Sequence, residues 1–214
     1  MNTEAPMKAK RLEAILATEG HRTGAEMVSR FQQLRNFRML PTSRGRNAED
    51  IAVDGVVSGI LGMVSDLPGF AGVKTIVLKG LRPVGGMEKS FAKAETFGAA
   101  FRAALEEEKL LDTVLEIRIT DDEIATNSNG RALIVYAEDG VERSAYYVGY
   151  TALTLICPGG EKNFNPRSSN STILRETVIQ PRLLKRIMRE YREQESMDKL
   201  MADLDARYRS GNES

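Results

Sequence analysis

Five arginines carry the chemistry that this chain advertises. Arg30, Arg35 and Arg38 fall within one helical pattern, and Arg44 and Arg46 flank Gly45 in a short basic loop, Pro41-Thr-Ser-Arg-Gly-Arg46. Guanidinium groups suit phosphate and base edges, because each offers a planar fork of N–H donors to an anionic or carbonyl oxygen. Before Asn47, nine basic residues stand against four acidic ones, an excess of five positive charges. Lys plus Arg and Asp plus Glu balance at 30 each over the whole chain. Any attraction to nucleic acid must therefore come from this local asymmetry, not from net charge.

Other chemistry is thin. The single histidine, His21, lies beside a turn with no cysteine near it, so local spacing assembles neither a His-rich metal site nor a Cys/His pair. Asp121-Asp122-Glu123 precedes a hairpin pattern and reads as a solvated acidic run. The stretch from Gly80 to Gly86 lacks the Gly-Lys-Ser/Thr ending of a phosphate-binding loop. Cys157, in an apolar run, reads as a small buried hydrophobe. The expectation is a protein that is not an enzyme and has no cofactor or metal. The apolar run from Ile51 to Val64 is too short to span a bilayer and contains Asp54, so it reads as a core helix and no membrane partner is expected. One cysteine and no signal-peptide pattern fit the cytoplasm.

The arginines need elements to hold them. Leu12, Ile15 and Leu16 predict a helix over 8–18, with Gly20 as its stop. Thr23 and Glu26 form a capping-box pattern opening a helix to about Phe37, with Met27, Phe31 and Leu34 as its apolar stripe and Pro41 beyond its end. After the loop, Asn47 reads as a cap with Glu49 and Asp50 in the first turn of a new helix. Val53, Val56, Val57, Ile60, Leu61 and Val64 then repeat on one helical face. Residues 70–81 read as a short helix or a buried strand, with the helix preferred, and one long helix is expected from Met87 to about Leu111.

From Val114 the period shortens to two. Asn129-Gly130 and Asp139-Gly140 mark hairpins, so an antiparallel meander is expected with strands near 114–120, 123–127, 131–137, 142–150 and 152–156. Pro158 to Ser171 is polar and rich in turn formers, a loop. Pro181 opens a long amphipathic helix through Leu184, Ile187, Met188, Tyr191, Met197, Leu200, Met201, Leu204 and Tyr208, with a polar gap at Arg192–Ser196 where a break or kink is expected.

The order of helix, turn, helix, a Met39-Leu40-Pro41 step, Arg44 and Arg46, and then Glu49-Asp50 resembles the head of the MerR-type winged-helix regulators. The likeness covers about a fifth of the chain. It implies DNA as partner, with Arg30, Arg35 and Arg38 on the recognition helix and Arg44 and Arg46 on the wing. The resulting expectation is an α+β protein. A helical, helix-turn-helix-like region at 1–111 precedes an antiparallel β-meander with a loop at 112–180 and a C-terminal amphipathic helix at 181–214. It would act as a DNA-binding transcriptional regulator of bacterial or phage type, its tail helix either pairing with a second copy in a homodimer or packing back on its own domain. The alternative is a protein–protein interaction module, accessory or inhibitory, that binds a protein partner without nucleic acid.

Overall fold

A computed structural model describes residues 7–42, 49–122, 130–149 and 174–211. Helix α1 spans Ala9–Glu19 and α2 spans Gly24–Asn36, and their apolar stripes Leu12, Ile15, Leu16 and Met27, Phe31, Leu34 are buried. The Thr23 hydroxyl accepts the Glu26 N–H at 3.3 Å, half of the expected capping box. The Glu26 carboxylate pairs instead with Arg30 and Arg22.

The expected helix start at Asn47 to Asp50 is corrected at its acidic residues, while Asn47 itself lies outside the described residues. Asp50–Ile51 is a short strand, β2, antiparallel to β1 at Met7–Lys8, with the Lys8 ammonium 2.7 Å from the Asp50 carboxylate. This pairing joins segments more than forty positions apart, and local propensity carries no trace of it. Helix α3 therefore begins at Val53 and runs to Gly62, with Asp54 as its first-turn carboxylate. Its apolar face is as expected, yet every residue from Gly55 to Gly62 is buried, so α3 is enclosed on all sides. Glycine makes this enclosure possible: a Cβ at Gly59 would stand 2.6 Å from Leu12 Cδ2, and one at Gly62 would stand 3.1 Å from Leu34 Cδ1. Close approach of α1 and α2 offsets the intrinsic helix cost of these glycines, about 1 kcal/mol each.

Helix α4, Ala71–Lys79, occupies the expected helical stretch. The single helix from Met87 to Leu111 does not form. Two 3-10 turns at Met87–Lys89 and Phe91–Lys93 precede α5, Phe97–Glu106, and α6, Glu108–Thr113. Ala92 and Lys93 adopt φ of 54° and 52°, which an α-helix does not accommodate, and the Tyr147 hydroxyl accepts the Phe91 N–H at 3.0 Å. Thr96 then starts α5 afresh by accepting the Ala99 N–H at 3.1 Å.

The sheet has the order β3-β6-β5-β4-β7, antiparallel throughout: β3 Arg82–Pro83, β4 Val114–Asp122, β5 Arg131–Glu138, β6 Val141–Val148 and β7 Leu174–Ile179. Strands β4 to β6 are the expected meander. Asp139 and Gly140 both take positive φ, 51° and 77°, as a type I′ turn demands. β3 and β7 are unexpected additions at the two edges. The strands expected at 123–127 and 152–156, Asn129 of the other hairpin, the 158–171 loop, Cys157 and the side chains of Asp121, Asp122 and Glu123 lie outside the described residues. On the inner face, Ile179, Ile117, Ile134 and Ala145 stand in register across four strands, with Ile119, Ala132 and Tyr147 in the next row. One cluster of buried side chains runs from Met7 through the helices and this face to Tyr191.

The tail helix α7, Pro181–Gly211, is continuous, and no break occurs over Arg192–Ser196. The polar gap is bridged by side-chain pairs one turn apart. Arg189 reaches Glu193 at 3.9 Å, Lys199 reaches Glu195 at 2.6 Å, and Gln194 donates to Asp198 at 3.3 Å. Leu184, Ile187, Met188 and Tyr191 are buried against the body, while Met197, Leu200, Met201 and Leu204 are 50–56% exposed. No helix among the described residues is long and apolar enough to cross a membrane.

Tyr147 gives a test of the link between the 3-10 turns and the sheet. Burial raises its hydroxyl pKa above the ordinary tyrosine range, so its contribution to stability is complete below about pH 10 and is lost as pH rises beyond that. Tyr147→Phe orphans the buried Phe91 N–H, at a cost of about 1–3 kcal/mol. Urea unfolding from about pH 7 to about pH 11 should show that cost at neutrality and a shallower alkaline decline in the variant.

Candidate nucleic-acid interface

Helices α1 and α2 and the turn from Gly20 to Thr23 form a helix-turn-helix-like pair seated on α3. His21 turns the corner at φ 50° with its side chain exposed, as expected of a surface residue. Because α2 buries Met27, Arg30, Phe31 and Leu34, its opposite side is left uncovered. Ala25, Val28, Ser29 and Asn36 are exposed there, with Gln32 partly so. These residues recur at helical spacing and make one outward stripe. The Gln32 amide donates to Asn36 Oδ1 at 2.8 Å, which fixes the orientation of both carboxamides. Short polar and methyl-bearing side chains on an exposed helix suit base edges: carboxamides pair with adenine, and alanine and valine methyls meet the thymine methyl.

The arginines do not all join this surface. Arg30 corrects the expectation placed on it, since its side chain has no exposed area. Its guanidinium donates to the carbonyls of Gly62 at 2.9 Å, Ser65 at 2.5 Å and Asp66 at 3.3 Å, and to the Glu26 carboxylate at 2.7 and 3.1 Å. A charge so enclosed meets no phosphate. It ties α2 to the C-terminal end of α3, where unpaired carbonyls and the negative end of the helix dipole favour a cation. Arg35 is half-buried in the last turn of α2. Arg38 is exposed one residue past the helix cap, at φ 58°, with no side-chain partner among the described residues. Arg44 and Arg46 lie outside the described residues.

The chain leaves α2 through Leu40, buried, and returns at Ile51, also buried. Both side chains sit against Gly55, whose Cβ would stand 3.2 Å from Ile51 Cβ and 3.4 Å from Leu40 Cδ2. The two ends of the basic loop are thus fixed beside the C-terminus of α2. At its other end, Arg22 stands before the cap, partly exposed and 3.3 Å from Glu26. Arg22, Ser29, Gln32 and Asn36 were open to discovery in the sequence, as the complement of the Met27, Phe31, Leu34 stripe. Charge points to the arginines and passes over Ser29, Gln32 and Asn36.

A separate apolar strip lies on α4 and the 3-10 turn at Pro68–Phe70, both packed on α2. Leu67, Phe70, Val73 and Ile76 are exposed along it, and the Phe37 ring rests over Gly72, where a Cβ would come within 2.2 Å of the ring. None of the family profiles, curated proteins or solved structures compared with the chain matches it.

Arg30→Met should lower stability on the order of 3 kcal/mol, because two buried carbonyls, a third that is partly buried and one carboxylate lose their donor. Arg38→Ala should change it by less than about 0.5 kcal/mol. Chemical denaturation of both variants checks the contrast, and equal effects would contradict the assignment of Arg30 as a buried tie.

Proposed function

We propose that this protein is a DNA-binding transcriptional regulator that presents α2 to the major groove. The observation that carries the reading is the outward stripe of α2, where Ala25, Val28, Ser29, Gln32 and Asn36 stand uncovered on a helix whose other side is locked into the core. A rigid support matters, because readout of a base edge needs side chains held in one register while phosphate contacts set the docking position. Arg22 at one end of the helix and Arg35 and Arg38 at the other would meet backbone phosphates in this reading. Arg44 and Arg46 extend that role into the loop whose ends are fixed at Leu40 and Ile51. Arg30 has no part in contact; it positions α2.

A second reading, an interaction module that touches no nucleic acid, draws on the uncovered Leu67, Phe70, Val73 and Ile76 beside the same helix. Binding to a pool of duplex fragments separates the two. In the first reading the parent protein retards duplexes at low salt, with affinity falling steeply as salt rises. Arg38→Ala and Arg44→Ala/Arg46→Ala weaken all sequences alike and reduce the salt slope by about one for each phosphate no longer neutralised. Gln32→Ala relaxes preference among selected sequences, costing about 1–3 kcal/mol at one position. Failure of the parent to bind any duplex at low salt excludes the DNA reading.

A further inference from the structure

We propose that the outward face of α4, with Gly69 before it and Gly80 after it, is the contact between two copies of this chain, packed antiparallel about a two-fold axis. Ala71, Thr75 and Leu78 are buried against the body, and Val73 and Ile76 stand on the opposite side, 46% and 50% exposed. No charge relieves that side. Of the two lysines in the helix, Lys74 is buried and Lys79 is drawn away to the Asp54 carboxylate at 2.6 Å. A helix with no polar side needs cover on both. With Leu67, Phe70 and Phe37 beside them, the exposed groups make an apolar patch of roughly 400–500 Å², the size class of functional patches.

The pattern along the face selects a second copy as the cover. At about 100° per residue, Gly69, Val73, Ile76 and Gly80 fall within about 60° of one another, and all four are exposed. Their order, glycine, valine, isoleucine, glycine, is the same type of sequence from either end, small, large, large, small, about a point between Lys74 and Thr75. An isologous contact demands such self-complementarity. A two-fold axis over that point sets Val73 of each copy against Ile76 of the other and Gly69 against Gly80. Phe70 of each copy then lies on the flank of Val77 in the other.

The chain's own packing does not call for glycine at either end. A Cβ at Gly69 would meet nothing within 4 Å, and one at Gly80 would meet only the carbonyls of Ile76 and Val77, at 3.5 and 3.6 Å. Gly80 has a φ of −83°, open to any residue. Bare backbone at both ends instead admits a neighbouring helix at the short end of the usual spacing of about 8–10 Å. A lipid surface fits less well, because a helix lying on one carries cations along the rim of its apolar face, and the lysines of α4 are turned inward. In the antiparallel pair Lys74 lies opposite Thr75, so no like charges meet on the axis. Two patches with a polar rim reach the lower end of the about 1,200–2,000 Å² that stable pairs bury, which makes the dimer one that dissociates on dilution.

The test is the mass of the full chain by sedimentation without nucleic acid, so its outcome does not depend on DNA binding. The parent is expected to be dimeric at about 200 µM and monomeric at about 1 µM. Val73→Glu with Ile76→Glu should give a monomer that melts with the parent at equal monomer fraction, and Gly80→Gln should weaken the dimer about tenfold. Leu200→Glu with Leu204→Glu, on the tail, should leave the dimer unchanged. In a Cys157→Ser background, a short bismaleimide should join copies carrying Gly69→Cys to copies carrying Gly80→Cys, and neither kind to itself. A monomeric parent at about 200 µM, even one that takes up another protein or lipid vesicles on this face, would overturn the proposal. So would a dimer indifferent to the Val73/Ile76 pair, one abolished by the tail pair, or cross-linking within each single variant in place of the mixture.

Discussion

The guanidinium of Arg30 is the interaction on which the helical half depends. It is fully buried, and every carbonyl it reaches belongs to the end of α3 or to the link that follows. An enclosed helix has no solvent to satisfy its last carbonyls, so α3 can lie inside the protein only if another element supplies donors there. That element is α2, and the Glu26 carboxylate one turn away balances the charge. The same bond set fixes α2 in rotation about its own axis, which decides the residues left outside. Gly59 and Gly62 complete the arrangement by admitting Leu12 and Leu34 to the surface of α3. The outward stripe of α2 is thus a by-product of how its inner side is held.

The chain balances its charge overall and also locally on the body. Arg11 meets Glu190 at 2.5 Å, Arg186 meets Glu19, Lys185 meets Asp112 at 2.7 Å and Lys79 meets Asp54 at 2.6 Å. Most of these pairs are partly exposed and contribute little individually to stability. They instead set register between elements: Arg11 and Glu19 on α1 and Asp112 on α6 hold α7 in place from two sides. Among the described residues, uncompensated charge is left at Arg38 beyond α2 and at Arg182 at the start of the tail.

Much of the helical core was legible because burial there follows the local period. Leu12, Ile15 and Leu16, Met27, Phe31 and Leu34, and the valines of α3 occupy the faces their spacing predicts. The alternation of β4 from Ile117 on and the Asp139-Gly140 turn were equally readable, since both depend on near neighbours, whereas Leu115, of the same apolar set, is turned outward by the register shift between Val114 and Glu116. Two helix starts differ from their local pattern for one reason. Asp50–Ile51 pairs with Met7–Lys8, and Phe91 is held by Tyr147 some fifty positions later, so distant partners override helical propensity at 49–51 and 87–96. Of the candidate site, the helix was readable and its chemistry less so. A positive charge at Arg30 argues for solvent until the carbonyls of 62, 65 and 66 are known to converge on it. Ser29, Gln32 and Asn36 carry no charge to draw attention, and their value depends on which side of α2 is sealed.

The small ladder of β1 and β2 turns residues 7 to 51 into a closed circuit of chain. Met7, Leu40 and Ile51 are each buried in the common cluster, and Lys8 bonds Asp50 across the rungs. Both sides of the junction are therefore secured by contacts that do not pass through the peptide bonds between Thr42 and Glu49. A chain severed in that interval would keep its two fragments associated in one folded body, with α1 and α2 still clasped on α3.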